Sequence, residues 1–369
     1  MPTDSGGPRH MQALFDSVTF KCGRRMKNRF MLSPMTNLQS HEDGVLSDEE
    51  FNWLTLRARG GFGLTVTCAA HVQAAGQGFP GQLGIFSDRH LPGLTRLASA
   101  IRQEDSLGLV QLHHAGMRSP AELIKTQPLC PSDNEKTGAR AMSAAEVAQV
   151  TEDFISAAER AEKAGFDGVE LHAAHGYLIG QFLSAEINRR EDNYGGNRAN
   201  RFRLLADIIE GVRRRCRSDF ILAVRLSPER FGMRLEETIK WAAQLMQEEN
   251  IDLLDMSLWD TFKKPADTTF GEQDLLSCFT GLERHGVRLA VAGNIRTPAQ
   301  AQAVIEAGVD VVALGRAAIL HHDFPERCRT DSGFRPVELP VSRDYLAAEG
   351  LSPKFIDYMT RWEGFVRES

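Results

Sequence analysis

Several things are missing from this chain, and each absence excludes a class of protein. No CxxC pair occurs, and the six cysteines (22, 68, 130, 216, 278, 328) are scattered. That pattern argues against a disulfide framework or an iron–sulfur site and suits reduced cytosolic thiols. No GxGxxG turn joins an early strand directly to a helix, which disfavours an open doubly wound dinucleotide fold. No apolar run approaches membrane-spanning length, and Met1 to His10 carries no apolar signal-like core. Excess positive charge is missing too: the net charge is −6, which speaks against a nucleic-acid or anionic-membrane surface. The expectation is a soluble cytoplasmic protein without nucleic-acid or membrane partners.

What is present is ample core material, 42% apolar over 369 residues. Apolar runs read as eight strands: Phe30–Leu32, Leu64–Cys68, Leu107–Leu112, one opening at Val169, Ile221–Leu226, Leu253–Met256, Val287–Ala292 and Val311–Leu314. Helices alternate with them. Ser47 and Ser143 begin capping boxes, the first helix reaching about Arg59 and the second Ala164 before Gly165. Further helices are expected near Leu94–Gln103, Arg201–Arg215 and Leu235–Glu249, after Thr297-Pro298, and over Pro353–Val366 in the tail. Helix, Gly or Asn stop, one apolar residue, then strand recurs at Gly61, Gly165, Asn250 and Gly308. Eight alternating units predict a (β/α)8 barrel, α/β class, as one domain over 1–369. Its core would span about 28–325, with a C-terminal extension over about 326–369. Two polar excursions, 113–142 and 188–200, have the length of lids or binding loops.

The densest chemistry is Val169-Glu170-Leu171-His172-Ala173-Ala174-His175-Gly176-Tyr177-Leu178. Residues three apart on a strand face opposite ways, so a shared site for His172 and His175 requires a turn between them. Ala173-Ala174 and Gly176 make that turn cheap. Two imidazoles offer donors to a ligand oxygen and the Tyr177 hydroxyl offers a proton. Two other uses of the pair stay open on these residues alone, as zinc ligands or as structural histidines.

Barrel enzymes place their sites at the carboxyl ends of the strands. Here those ends carry Pro34-Met35-Thr36, Ala69, Gln111, His172 to Tyr177, Arg225, Trp259, Gly293-Asn294 and Gly315-Arg316. Small residues after strands seven and eight, with Asn294 and Arg316, suit a phosphate and imply a phosphorylated cofactor. Trp259 fits a pocket wall or the core equally well.

These residues stand in runs that resemble the old yellow enzyme family of FMN-dependent ene-reductases over almost the whole length. The runs are KNRFMLSPMT, VQLHHAGMRS, AGFDGVELHAAHGYLIGQFLS, NRREDNYGGNRANRFR, AVRLSP, VAGN and ALGRAAI. The resemblance implies FMN lined by Pro34, Met35, Thr36 and Ala69, its pyrimidine edge on Gln111, and Arg225 beside N1–C2. It further implies a phosphate held by Gly293, Asn294, Gly315 and Arg316. His172 and His175 would bind a substrate carbonyl oxygen and Tyr177 would donate the proton. The reaction so implied is NADPH- or NADH-driven reduction of activated alkenes, enones and enals, by a monomer or homodimer.

The chain departs from some relatives. It has Thr36 where some carry cysteine and Leu38 where some carry tyrosine, its tail lacks the arginine finger of others, and the enlarged dienoyl-CoA reductase form is not expected. Two rival readings remain: a metal-dependent barrel hydrolase using His172 and His175, and a flavin-binding protein that no longer turns over.

Overall fold

The computed structural model describes residues 12–367; the reading of Met1 to His10 as lacking a signal-like core falls outside them. Eight parallel strands close into a barrel in chain order. They are β1 (Phe30–Leu32), β2 (Leu64–His71), β3 (Leu107–His113), β4 (Gly168–Ala173), β5 (Ile221–Leu226), β6 (Leu253–Ser257), β7 (Arg288–Ala292) and β8 (Val311–Leu314). Val312 pairs with Phe30, Ala313 with Met31 and Leu314 with Leu32, so the last strand closes on the first. The expected (β/α)8 architecture is therefore the observed one.

Helices α1 (Asp48–Arg59), α2 (Leu91–Gln103), α3 (Ala144–Ala164), α4 (Arg198–Arg215), α5 (Leu235–Gln247), α6 (Pro298–Glu306) and α7 (Arg316–Leu320) follow strands around the ring, and α8 (Pro353–Met359) lies in the tail. Local chemistry sets their ends. At α3 the Ser143 hydroxyl accepts the Glu146 N–H and the Glu146 carboxylate accepts the Ser143 N–H, a reciprocal cap whose hydroxyl is worth roughly 1 kcal/mol. Gly165, at φ 93°, then stops the helix in the left-handed region.

Strand alternation divides the core into two layers. Phe30, Leu32, Val169, Leu171, Val224, Leu226, Leu254 and Met256 point outward beneath the helices. Met31, Leu64, Val66, Leu109, Ile221, Ala223, Leu253 and Ala290 fill the barrel interior. By the same alternation Gln111, Glu170, His172, Arg225 and Asp255 share the inner face. Gly168 shows how tightly β4 and β5 meet, since a Cβ there would lie 2.2 Å from the Ile221 carbonyl oxygen.

Several boundaries differ from the sequence reading. β2 runs on through Ala69 and Ala70 to His71, across a register shift between Val66 and Ala69. α4 begins at Arg198 because the Asn197 side chain caps it, and α2 begins at Leu91 with proline in its first turn. The 113–142 excursion is structured, with helical turns at Gly116–Arg118 and Ala121–Ile124 and a short ladder of Leu129–Cys130 with Arg140–Ala141. The tail helix stops at Met359, short of the expected Val366, because the chain turns back to pair Val366 with Val341. Among the described residues no helix is long and apolar enough to cross a membrane.

Candidate active site

At the carboxyl ends of the strands lies a cavity of about 310 Å³, within the range of small-molecule sites. Every residue singled out in the sequence lines it: Pro34, Met35, Thr36, Ala69, Gln111, His172, His175, Tyr177, Arg225, Gly293, Asn294, Gly315 and Arg316. Trp259 lines it too, and at 58% exposed it belongs to the wall and not to the core.

The turn required after β4 is present. His175 and Gly176 sit at φ 57° and 70°, and Tyr177 begins a short helix, Leu178–Leu183. The His172 and His175 ring centres are 5.0 Å apart, and Tyr177 lies 4.9 Å from His172. His172 Nδ1 accepts the Ala174 N–H at 3.3 Å, which makes Nε2 the protonated, donating nitrogen. That Nε2 is 3.4 Å from His175 Nδ1, while His175 Nε2 meets the Ser257 hydroxyl at 2.8 Å. The Ser227 hydroxyl accepts the His175 N–H at 2.9 Å and holds the turn.

Burial holds both imidazoles neutral: it pushes His172 well below the usual range and takes His175 to about 3, with neighbouring positive charge adding to each shift. Ligand binding to this pair should then be flat between about pH 5 and pH 8, since each ring protonates only below its lowered pKa. Titration of phenol affinity would check this, and an inflection near the ordinary histidine value would contradict it. Burial raises the Tyr177 phenol, opposed by Arg118, whose guanidinium carbon lies 4.7 Å from the ring centre. His113, fully buried and also kept neutral by burial, packs 4.3 Å from the Tyr177 ring.

The opposite end of the cavity is cationic. Asn294 Oδ1 accepts from Arg296 Nε at 2.8 Å and from Arg316 Nη2 at 3.0 Å. Neither arginine forms a direct ion pair among the described residues; the nearby carboxylate, Asp260, instead accepts the Asn294 side-chain amide at 3.2 Å. Burial and then Arg296 lower the Arg316 pKa, only partly opposed by Asp260, as suits a place that can take a further anion. Gly293 has a second reason to be small: a Cβ would lie 2.9 Å from Thr261 Oγ1.

Between the two ends stand the groups that suit a planar polar ring. Gln111 Nε2 donates to Glu170 Oε1 at 2.7 Å, which turns its carbonyl oxygen to the cavity as an acceptor. Arg225 donates to Ser33 Oγ at 3.0 Å and to the Pro34 carbonyl at 3.4 Å, and its Nε lies 3.0 Å from Asp255 Oδ2. Thr36 keeps its hydroxyl uncommitted among the described residues. Ala69 leaves room beside it, though its carbonyl already accepts the Gln82 amide at 2.9 Å. Two guanidiniums converging on Asn294, an amide acceptor and a buried guanidinium in one cleft fit the phosphate and pyrimidine of a flavin mononucleotide.

The whole of residues 13–333 matches the NADH:flavin oxidoreductase / NADH oxidase family. The chain belongs to that family, the old yellow enzymes. It is 38% identical over 323 residues to the probable NADH-dependent flavin oxidoreductase YqiG of Bacillus subtilis, covering 83% of this chain and 85% of that one. It is 34% identical over 335 residues to an NADPH dehydrogenase of Bacillus cytotoxicus, covering 88% and 94%. The solved old yellow enzyme homologue from Zymomonas mobilis superposes with a TM-score of 0.77 at 29% identity, covering 94% of this chain and 99% of that one. This old yellow enzyme is an FMN-dependent oxidoreductase with NADH or NADPH as electron donor. Among its described residues no group of three or more His, Cys, Asp and Glu is placed to hold a metal ion.

The sequence did not single out Ser33, Ser257, Arg296, Tyr358, Met359 or Trp362, all of which line the cavity. Arg296 carried a signal, standing two places after Asn294. The tail residues carried none, because a C-terminal helix does not announce which strand ends it will cover.

Proposed function

We propose that this old yellow enzyme reduces the C=C bond of α,β-unsaturated carbonyl compounds, with His172, His175 and Tyr177 acting on the substrate. The observation that carries the reading is a neutral His172, its Nε2–H shared with His175 Nδ1, with a phenol one ring away in the same cleft. His172 donates to the carbonyl oxygen, and His175, oriented by Ser257, steadies that donor and adds its own when the ligand draws it from the serine. Withdrawing charge through the oxygen leaves the β-carbon electrophilic. Bound FMN supplies hydride, delivered to it by NADH or NADPH. Tyr177 then gives its proton to the α-carbon, and Arg118 stabilises the phenolate left behind. Pro34, Met35, Thr36, Ala69, Gln111 and Arg225 would hold the flavin ring, and Gly293, Asn294, Gly315 and Arg316, with Arg296, its phosphate. Trp259 and Trp362 form an aromatic rim that favours flat, apolar substrates.

The test is anaerobic. NADPH should bleach the yellow holoenzyme, and cyclohexenone should then restore its colour. If only oxygen restores it, the protein is a flavin oxidoreductase without ene-reductase activity.

A further inference from the structure

Beneath the proposed flavin site, β3 to β6 each send one polar side chain to the barrel axis: Gln111, Glu170, Arg225 and Asp255. Glu170 and Asp255 are both fully buried, and Arg225 is 5% exposed. Each carboxyl acts on the other's ionisation, and Asp255 sits directly opposite Arg225 across the β5–β6 pairing. Arg225 meets Asp255 as an ion pair and not as an aligned hydrogen bond. Glu170 Oε2 and both Asp255 oxygens have no aligned donor among the described residues.

Two carboxylates against one guanidinium would leave a net negative charge in a dry core, at a cost of several kcal/mol. One proton between the carboxyls removes the excess charge and supplies the missing donor. No other group compensates. The charged or titratable neighbours are Arg225 on β5 and, above it, His172 and His175, both neutral. Burial first and Asp255 second raise the Glu170 carboxyl to about 8, and burial raises Asp255 as well.

We propose that Glu170 and Asp255 share one proton and act as positioning residues for Gln111 and Arg225, and that in alkaline solution the pair takes up that proton whenever the flavin is reduced. Reduction places negative charge beside Arg225, which then shields the carboxyls less and strengthens their hold on the proton. Two electrons and one proton reach the ring as hydride from NADH or NADPH; the second proton comes from solvent onto the pair, and no protein bond breaks. The inference rests on the flavin lying against Gln111 and Arg225, and not on the identity of the alkene.

The experiment is the reduction potential of the holoenzyme from about pH 7 to about pH 10, spanning the raised carboxyl range. While the pair stays protonated, reduction consumes one proton and its equilibrium falls tenfold per pH unit, about 30 mV. Above the pair's pKa it should consume two and fall a hundredfold per pH unit, about 59 mV. Glu170→Gln, which keeps an acceptor for Gln111, should hold the shallow slope throughout and lose the infrared carbonyl band of an unionised carboxyl. Asp255→Asn is the second variant should that one fail to fold. A single shallow slope in the unmodified enzyme, or a break that survives Glu170→Gln, overturns the proposal. Failure of the flavin placement itself shows separately, as unchanged FMN affinity in Gln111→Ala.

Discussion

Replacing Tyr177 with phenylalanine should slow reoxidation of the reduced enzyme by cyclohexenone by roughly 10²–10⁴-fold, the usual contribution of a positioned general acid. Reduction by NADPH should keep its rate, because that half-reaction needs no proton from the phenol. The substitution removes one oxygen from a ring whose packing against His172, His113 and Arg118 is otherwise retained. Stopped-flow measurement of the two half-reactions separates the outcomes. Equal loss in both would assign the defect to the flavin or the pocket and remove Tyr177 as proton donor.

The second large effect is expected at the cationic end. Arg296 and Arg316 both donate to Asn294 and have no carboxylate of their own. A charge-assisted hydrogen bond is worth about 1.5–3 kcal/mol. Arg316→Ala should therefore weaken FMN binding by about 10–100-fold, and loss of both arginines should give largely apoprotein. Fluorescence titration of the apoprotein with FMN and with riboflavin reads this directly. The variants should lose affinity for FMN and keep it for riboflavin, which has no phosphate. A matching loss for both would place the arginines away from the phosphate.

The strands and their ends were legible because a barrel strand advertises itself twice, by apolar content and by the stop that follows it. The structure shows that the charged residues inside such runs, Glu170 between Val169 and Leu171 and Arg225 between Val224 and Leu226, take the inward face opposite their apolar neighbours. What the sequence withheld is of another kind. Whether Trp259 fills the core or walls the pocket depends on a backbone at φ 67° and on Arg230, 4.5 Å from its ring. Neither follows from local pattern. The contribution of Tyr358, Met359 and Trp362 depends on where the tail lands across the barrel mouth. The proton shared by Glu170 and Asp255 depends on two strands 85 positions apart along the chain, whose separation the run of residues does not reveal.

Arg225 also bears on how the protein is made. Its guanidinium is hydrogen-bonded to Ser33, 192 positions earlier, and the proposed phosphate end draws on residues that follow the last two strands. On the proposed placement, a chain emerging from the ribosome has no binding place for its cofactor until the eighth strand has been synthesised and the ring has closed. Cofactor uptake must follow closure, so the onset of yellow colour in a refolding experiment would time the last long-range step of folding.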